Sequence, residues 1–376
     1  MPSWVAPHAA WAAEVAGDEQ TTGAFGRLFL HRLGQFVDGH MRPLLTDEEN
    51  ARMAELMEPD LAELADAIAS GGFPPAPPAD WPQTSPSGMK GPVAGRIGIL
   101  GDIHIGSKHA AELVPAAISQ INRLEPDAAV AIGDLTQNGS REFFQRAHET
   151  LRSVDAPLAV TLGNHDMWGG AESRPLGRTW FKESFAVPSY GVHQHDGFAL
   201  VVIDSSDPRP SPFPPFDLLT GGFLDQPNES VPGGSFSPEV LSWLEEVETQ
   251  GPTLMFLHHP PHPYLAFPPL VFGLDENSTR ALSDAARRLG AMGIVCGHTH
   301  RSVRYELDGV PVLEVPSTKE WPFGFGMIEI GASGWSFNLV QIDSADLVET
   351  ASTEAGVLFR RYARGEDEAR SFVIES

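Results

Sequence analysis

The stretch Arg96-Ile97-Gly98-Ile99-Leu100-Gly101-Asp102-Ile103-His104 decides the fold. Five mostly apolar residues run without polar interruption, as in a strand buried on both faces, and then break at a glycine into an aspartate and a histidine. The same grammar recurs along the chain. Ala128-Ala-Val-Ala-Ile132 ends in Gly133-Asp134, and Leu158-Ala-Val-Thr-Leu162 ends in Gly163-Asn164-His165-Asp166. Thr253-Leu-Met-Phe-Leu257 ends in His258-His259-Pro260, and Gly293-Ile-Val-Cys296 ends in Gly297-His298-Thr299-His300. The run Phe198–Ile203 is the exception, closing on Asp204-Ser205-Ser206.

Helical stripes lie between these runs. Leu113, Ala117, Ile118, Ile121 and Leu124 form one, and Phe143, Phe144, Ala147 and Leu151 another. Ser237-Pro238-Glu239 supplies an N-cap, a first-turn proline and an early acid, and Gly290 closes a helix over 278–289. Strands alternating with helices predict a layered α/β domain. In open α/β sheets ligands bind beyond the carboxyl ends of the strands. Five such ends carrying carboxylate, amide and imidazole therefore point to one edge. Each motif alone also fits a turn or a cap; five in succession at strand ends do not. Mixed N/O donors without thiolate suit divalent or trivalent Mn, Fe or Zn and argue against a structural zinc site.

The chain flanking this pattern reads differently. Apolar residues at helical spacing (Phe25, Leu28, Phe29, Leu33, Phe36; then Met53, Leu56, Met57, Leu61, Leu64, Ile68) predict a helical N-terminal extension over 1–72. A Pro-rich linker follows over 73–93, then the catalytic domain over 94–345 and a C-terminal tail over 346–376. Two Pro/Gly-rich stretches, about 207–236 and 260–276, read as functional or disordered loops.

A net charge of −25 with no basic stripe predicts no nucleic-acid polymer as partner. It leaves a small anionic substrate open, because bound cations reverse the local potential. No apolar run reaches membrane-spanning length and the first residues lack a secretory pattern, so no membrane association is expected. The single cysteine, Cys296, fits a reducing, cytoplasmic setting. Oligomeric state is not legible.

The ordered set Asp-x-His, Gly-Asp, Gly-Asn-His-Asp, His-His-Pro, Gly-His-Thr-His, spread over about 94–340, resembles the calcineurin-like metallophosphoesterase superfamily. The resemblance implies a two-sheet β-sandwich flanked by helices, with a binuclear metal centre on one edge. Asp134 would bridge two divalent or trivalent ions. Asp102, His104 and His300 would complete one ion's protein ligands, and Asn164, His258 and His298 the other's. His165 would face the scissile phosphate as general acid, oriented by Asp166, while a metal-bound hydroxide attacks phosphorus in line. Gln137 stands where purple acid phosphatases carry a tyrosinate, and the second motif ends in Asp166 where protein phosphatases carry glutamate. The form Gly133-Asp-Leu-Thr136 instead resembles the class III cyclic nucleotide phosphodiesterase and glycerophosphodiesterase group, which implies small phosphodiester substrates. A phosphomonoesterase of the same fold is the alternative, and a non-catalytic scaffold a further one. Trp168, Tyr264, Phe267, Trp321 and His262 are candidate pocket residues, His109, His193 and His195 surface residues, and His259 a packing or supporting residue.

Overall fold

The computed structural model describes residues 88–89, 91–167, 177–210, 229–261, 265–266, 270–271, 273–348, 363 and 365–375. The chain divides into two units. The first (Met1–Ala79, Leu265–Pro269 and Thr353–Tyr362) lies almost wholly outside the described residues, and with it the expected N-terminal helical extension. The second spans Asp80–Tyr264, Leu270–Ser352 and Ala363–Ser376.

Two six-stranded mixed sheets form this second unit. The six apolar runs become β1 (Gly95–Gly101), β2 (Ala128–Ile132), β3 (Leu158–Thr161), β5 (Ala199–Ile203), β8 (Thr253–Leu257) and β11 (Gly293–Cys296). Among the described residues the remaining strands of this unit are β4 (Gly191–Gln194), β6 (Asp207–Pro210), β7 (Glu229–Ser235), the two-residue β10 (Leu270–Val271), β12 (Val303–Leu307), β13 (Val310–Glu314), β14 (Gly324–Gly331), β15 (Gly334–Gln341) and β16 (Ser371–Glu375), while the two-residue β9 (Leu265–Ala266) falls in the first unit. One sheet has the order β16-β15-β14-β1-β2-β3 and the other β12-β13-β11-β8-β5-β4. β1, β2 and β3 are mutually parallel, as are β5, β8, β11 and β13, so within each sheet their carboxyl ends share one edge. Hydrogen bonds tie the two edges together: Thr161 Oγ1 donates to Ile203 O at 2.9 Å and His258 Nδ1 to Ile132 O at 3.0 Å.

Among the described residues the helices flanking the sheets include α1 (Ala110–Arg123), α2 (Arg141–Leu151), α3 (Gly177–Phe185), α4 (Pro238–Glu246) and α5 (Glu276–Leu289). The α1 stripe buries Leu113, Ala117, Ile118 and Ile121, whereas Leu124 is left exposed beyond the helix end. In α2 Phe144, Ala147 and Leu151 are buried. Val201, Ile203, Met255, Leu257, Ile294 and Cys296, alternate residues of β5, β8 and β11, pack against Val240 and Leu244 of α4 and Leu282 and Ala286 of α5. That is the period-2 face of a sheet meeting a 3.6-period stripe. Ser237 caps α4 as expected, accepting from Val240 N. The predicted start of α5 is corrected from residue 278 to Glu276, because Asp275 rather than Ser278 is the cap, accepting from Ser278 N at 2.7 Å. The tail boundary is also corrected: β16 pairs antiparallel with β15, so the last residues belong to the sheet. β6 and β7 pair as a two-stranded ribbon within the first loop stretch, a segment whose low periodicity hid them. Among the described residues no helix is long and apolar enough to cross a membrane.

Candidate metal centre

Every predicted ligand stands just past the carboxyl end of a parallel strand. Asp102 and His104 follow β1, Asp134 follows β2, Asn164 follows β3, His258 follows β8, and His298 and His300 follow β11. Asp102 and His258 are fully buried, His104, Asp134, Asn164 and His298 nearly so, and the His300 side chain is 17% exposed. Five of the seven, namely Asp102, His104, Asp134, His298 and His300, adopt left-handed backbone angles (φ 41, 41, 45, 72 and 56°). A non-glycine residue resists this region, at a cost of roughly 1 kcal/mol or more each, and such residues gather where surrounding structure over-determines them for a purpose. Here the tight bends turn side chains back across the strand ends. The bends leave no room for substitution: a Cβ on Gly133 would lie 2.6 Å from His258 Nδ1, and one on Gly163 would lie 2.3 Å from Asp134 Oδ1.

The donors fall into two groups. Asp102, His104, Asp134 and His300 place ligand atoms within 4.8 Å of one another, and so do His258, His259 and His298. In the first group His104 Nε2 lies 3.2 Å from His300 Nε2 and 3.5 Å from Asp134 Oδ2, and His300 Nε2 lies 3.4 Å from Asp102 Oδ1. In the second, His258 Nε2 lies 3.1 Å from Asn164 Oδ1, 3.2 Å from His298 Nδ1 and 3.4 Å from Asp134 Oδ1. The two oxygens of Asp134 thus face the two groups separately.

Outer contacts set which ring nitrogen faces inward. His258 donates Nδ1–H to the Ile132 carbonyl and His300 donates Nδ1–H to Glu320 Oε2 at 2.7 Å, so each offers Nε2 to the cluster. Asp102 is aimed by the His298 amide, which donates to Oδ1 and Oδ2 at 3.0 and 3.1 Å. His259, fully buried, sets its Nδ1 against Ser205 Oγ at 2.9 Å.

The electrostatics of so many donors in one buried space are adverse. Burial, then the neighbouring imidazoles and Lys319, hold His104 well below the usual imidazole range; burial and the surrounding histidines do the same to His298. Burial, followed by Asp102 and Asp166, pushes the Asp134 carboxyl well up. His300 goes the other way: burial opposes its charge, but Glu320 and Asp102 outweigh it and raise it to about 10. Ring nitrogens converging at 3.2 Å between buried imidazoles, with the far sides of His258 and His300 held by a carbonyl and a carboxylate, match what a cation requires of its ligands. The residues present fit two metal ions.

His165 and Asp166 open a single turn of 3-10 helix after β3. The His165 amide donates to Asp134 Oδ1 at 2.8 Å, and its ring stands edge-on to His104 with centroids 4.6 Å apart. Its Nδ1–H goes to the Gln137 carbonyl at 2.8 Å, so the expected orientation by Asp166 is corrected. Asp166 accepts instead from Gly163 N, Leu135 N, Thr136 N and Thr136 Oγ1, at 2.8–3.1 Å. Its carboxylate is a fully buried clasp between the loops after β2 and β3.

Of the candidate pocket residues, Trp168, Tyr264, Phe267 and His262 lie outside the described residues. Trp321 is buried packing. His109 precedes α1 in a left-handed conformation and supplies no side-chain cap, while His193 and His195 are half-buried on and beside edge strand β4. Sequence reasoning missed Glu320 and Lys319, which follow the buried Ser317 and Thr318; no spacing rule connects them to His300.

The chain is 27% identical over 197 residues to the probable glycerophosphodiester phosphodiesterase GpdQ of Arcobacter nitrofigilis, covering 49% of this chain and 61% of that protein. It is 27% identical over 201 residues to the 3',5'-cyclic adenosine monophosphate phosphodiesterase CpdA of Escherichia coli, covering 52% of this chain and 62% of that protein. It therefore spans about three-fifths of the length of these curated relatives. Among solved structures it is similar to a dimetal phosphatase from Danio rerio, with a TM-score of 0.49 and 18% identity over 66% of this chain and 98% of that one. The calcineurin-like phosphoesterase family model matches residues 95–302, more than half of the chain, and the chain belongs to that family.

Proposed function

We propose that the chain is a two-metal hydrolase of small phosphodiesters. The observation that carries this reading is Asp134, whose Oδ2 faces His104 and whose Oδ1 faces His258, one carboxylate set between two clusters of donors. Asp102, His104 and His300 would hold one ion and Asn164, His258 and His298 the other, with Asp134 shared. Ions held there polarise the phosphoryl oxygens and make water a nucleophile near neutral pH.

The chain's own residues do the rest. The left-handed bends keep the donors in place before substrate arrives, and their burial excludes bulk water from the cluster. Gln137 O fixes the His165 ring, and His165 is the group in reach to give a proton to the departing alkoxide. Burial holds this imidazole down at about 4, against the lesser pull of the Gln137 carbonyl, so the negative charge of the bound substrate has to bring its proton on. The diester preference is supported by what the relatives are named for, a glycerophosphodiester and a cyclic nucleotide. Metal identity is proposed as Mn, Fe or Zn from the N/O donor set. A reducing, cytoplasmic setting is proposed from the single cysteine, buried Cys296.

The test combines metal content and turnover. Purified protein is expected to hold two ions per chain and hydrolyse bis(p-nitrophenyl) phosphate, with chelation abolishing both; Asp134→Asn is expected to lose both ions. Undiminished turnover in metal-free protein, or two ions retained by Asp134→Asn, would refute it.

A further inference from the structure

The segment Pro316-Ser317-Thr318-Lys319-Glu320 links β13 to β14 and is stapled to the end of β1. Thr318 N donates to Gly101 O at 2.7 Å, Gly101 N donates to Thr318 Oγ1 at 3.1 Å, and Ser317 Oγ donates to Asp102 O at 2.7 Å. Because β1 carries Asp102 and His104, these bonds deliver the next two residues to the metal cluster. Glu320 then divides its carboxylate: Oε2 accepts from His300 Nδ1 at 2.7 Å, and Oε1 accepts from Lys319 Nζ.

The Lys319 side chain is 11% exposed. An ammonium removed from water needs acceptors for its three N–H donors. Among the described residues Glu320 is its hydrogen-bond partner, which leaves two donors uncommitted. Glu320 thus places the ammonium one carboxylate away from His300, a residue of the cluster. Two other cations described near the strand ends are engaged, Arg178 by Asp204, Asp207 and Ser206, and Arg301 by Glu314.

We propose that Lys319 is a substrate-binding residue: its ammonium, aimed by Glu320, donates hydrogen bonds to a non-bridging oxygen of the phosphoryl group seated at the metal centre. The inference rests on the two-metal reading above. Glu320 then serves both halves of the site, steadying a metal ligand with one oxygen and the anchor with the other. In a chain of net charge −25 a fixed cation at the reacting group offsets the field that opposes an anionic substrate. The contact strengthens as charge on the phosphoryl group rises, so it favours the dianionic product over the monoanionic diester and predicts inhibition by inorganic phosphate.

The experiment measures inorganic phosphate affinity by calorimetry, KM for bis(p-nitrophenyl) phosphate, and metal content by mass spectrometry, for metal-loaded wild type, Lys319→Met and Lys319→Arg. Lys319→Met is expected to keep both ions while phosphate affinity falls and KM rises by about tenfold to a hundredfold, the usual range for losing a charged hydrogen bond. Lys319→Arg is expected to recover most of the phosphate affinity. Phosphate affinity within about twofold of wild type in Lys319→Met would overturn the proposal, on the same scale. So would an Arg variant as weak as Met, or loss of a metal ion from Lys319→Met, which would make the pair a support for His300 alone. Wild type holding fewer than two ions would instead refute the two-metal reading, whatever the variants do.

Discussion

His300 shows how a side chain's second contact sets its first. Its Nδ1–H is held by Glu320, and that carboxylate together with Asp102 overcomes the burial penalty and keeps the free ring protonated up to about pH 10. A metal ion needs the neutral ring, so uptake at pH 7–9 must expel this proton. The sign follows: affinity rises with pH below the folded-state value, by at most about tenfold per unit for one proton. Calorimetry of Mn²⁺ binding in buffers of different ionisation enthalpy should report release of at least one proton per chain; no release would mean that His300 does not ligate. His165 is tested differently. His165→Ala is expected to keep both ions and to lose about 10²- to 10⁴-fold in kcat toward substrates with poor leaving groups, but far less toward p-nitrophenyl esters. An equal loss across a leaving-group series would remove His165 from the acid role.

The loops after β2 and β3 are one mechanical unit, and Asp166 makes them so. Four donors, three of them backbone amides, end on this single buried carboxylate. Asp134 sits inside the same clasp, its Oδ1 accepting from the His165 amide. Asp166→Ala would strand those amides in a water-free space, and each unmet buried donor costs about 1–3 kcal/mol. Denaturant unfolding of the metal-free protein should therefore show a loss of about 3–5 kcal/mol, several such donors relaxing in part. Full stability with abolished turnover would instead return Asp166 to a chemical role beside His165. The strap at Ser317–Glu320 does for β1 and His300 what Asp166 does for β2 and β3.

At the scale of the molecule, seven parallel strands in two sheets send their carboxyl ends to the edge where the donors collect. Each dipeptide or tripeptide at a strand end supplies one or two ligands, and the rigid sheets set their spacing. A net charge of −25 predicts a long-range field hostile to phosphoesters. Screening weakens such a field over about 10 Å at 0.1 M salt. Raising ionic strength from about 20 to about 200 mM should then increase kcat/KM for an anionic diester severalfold at saturating metal. A fall would show that local positive charge, from the ions and Lys319, governs encounter.

Much of this was legible in the sequence because it is local. A five-residue apolar run, a glycine and a polar ligand are all within one chain segment, so β1, β2, β3, β5, β8 and β11 and their terminal donors could be read directly. The same holds for the stripes of α1 and α2 and the Ser237 cap. β14 and β15 were not read from the sequence, although Ile328 and Ile330 and then Trp335, Phe337 and Leu339 alternate around a two-residue connection. Only the tertiary structure decided which strands neighbour which, that β16 returns from the chain's end to join β15, and that Asp134 turns one oxygen to each donor group. It also replaced Asp166 by Gln137 at the His165 ring and brought Lys319 and Glu320 to the centre. The reason is physical: hydrogen bonds over separations from 20 residues (His300 to Glu320) to 217 (Gly101 to Thr318) depend on how sheets stack and loops fold back, and no short-range periodicity records that.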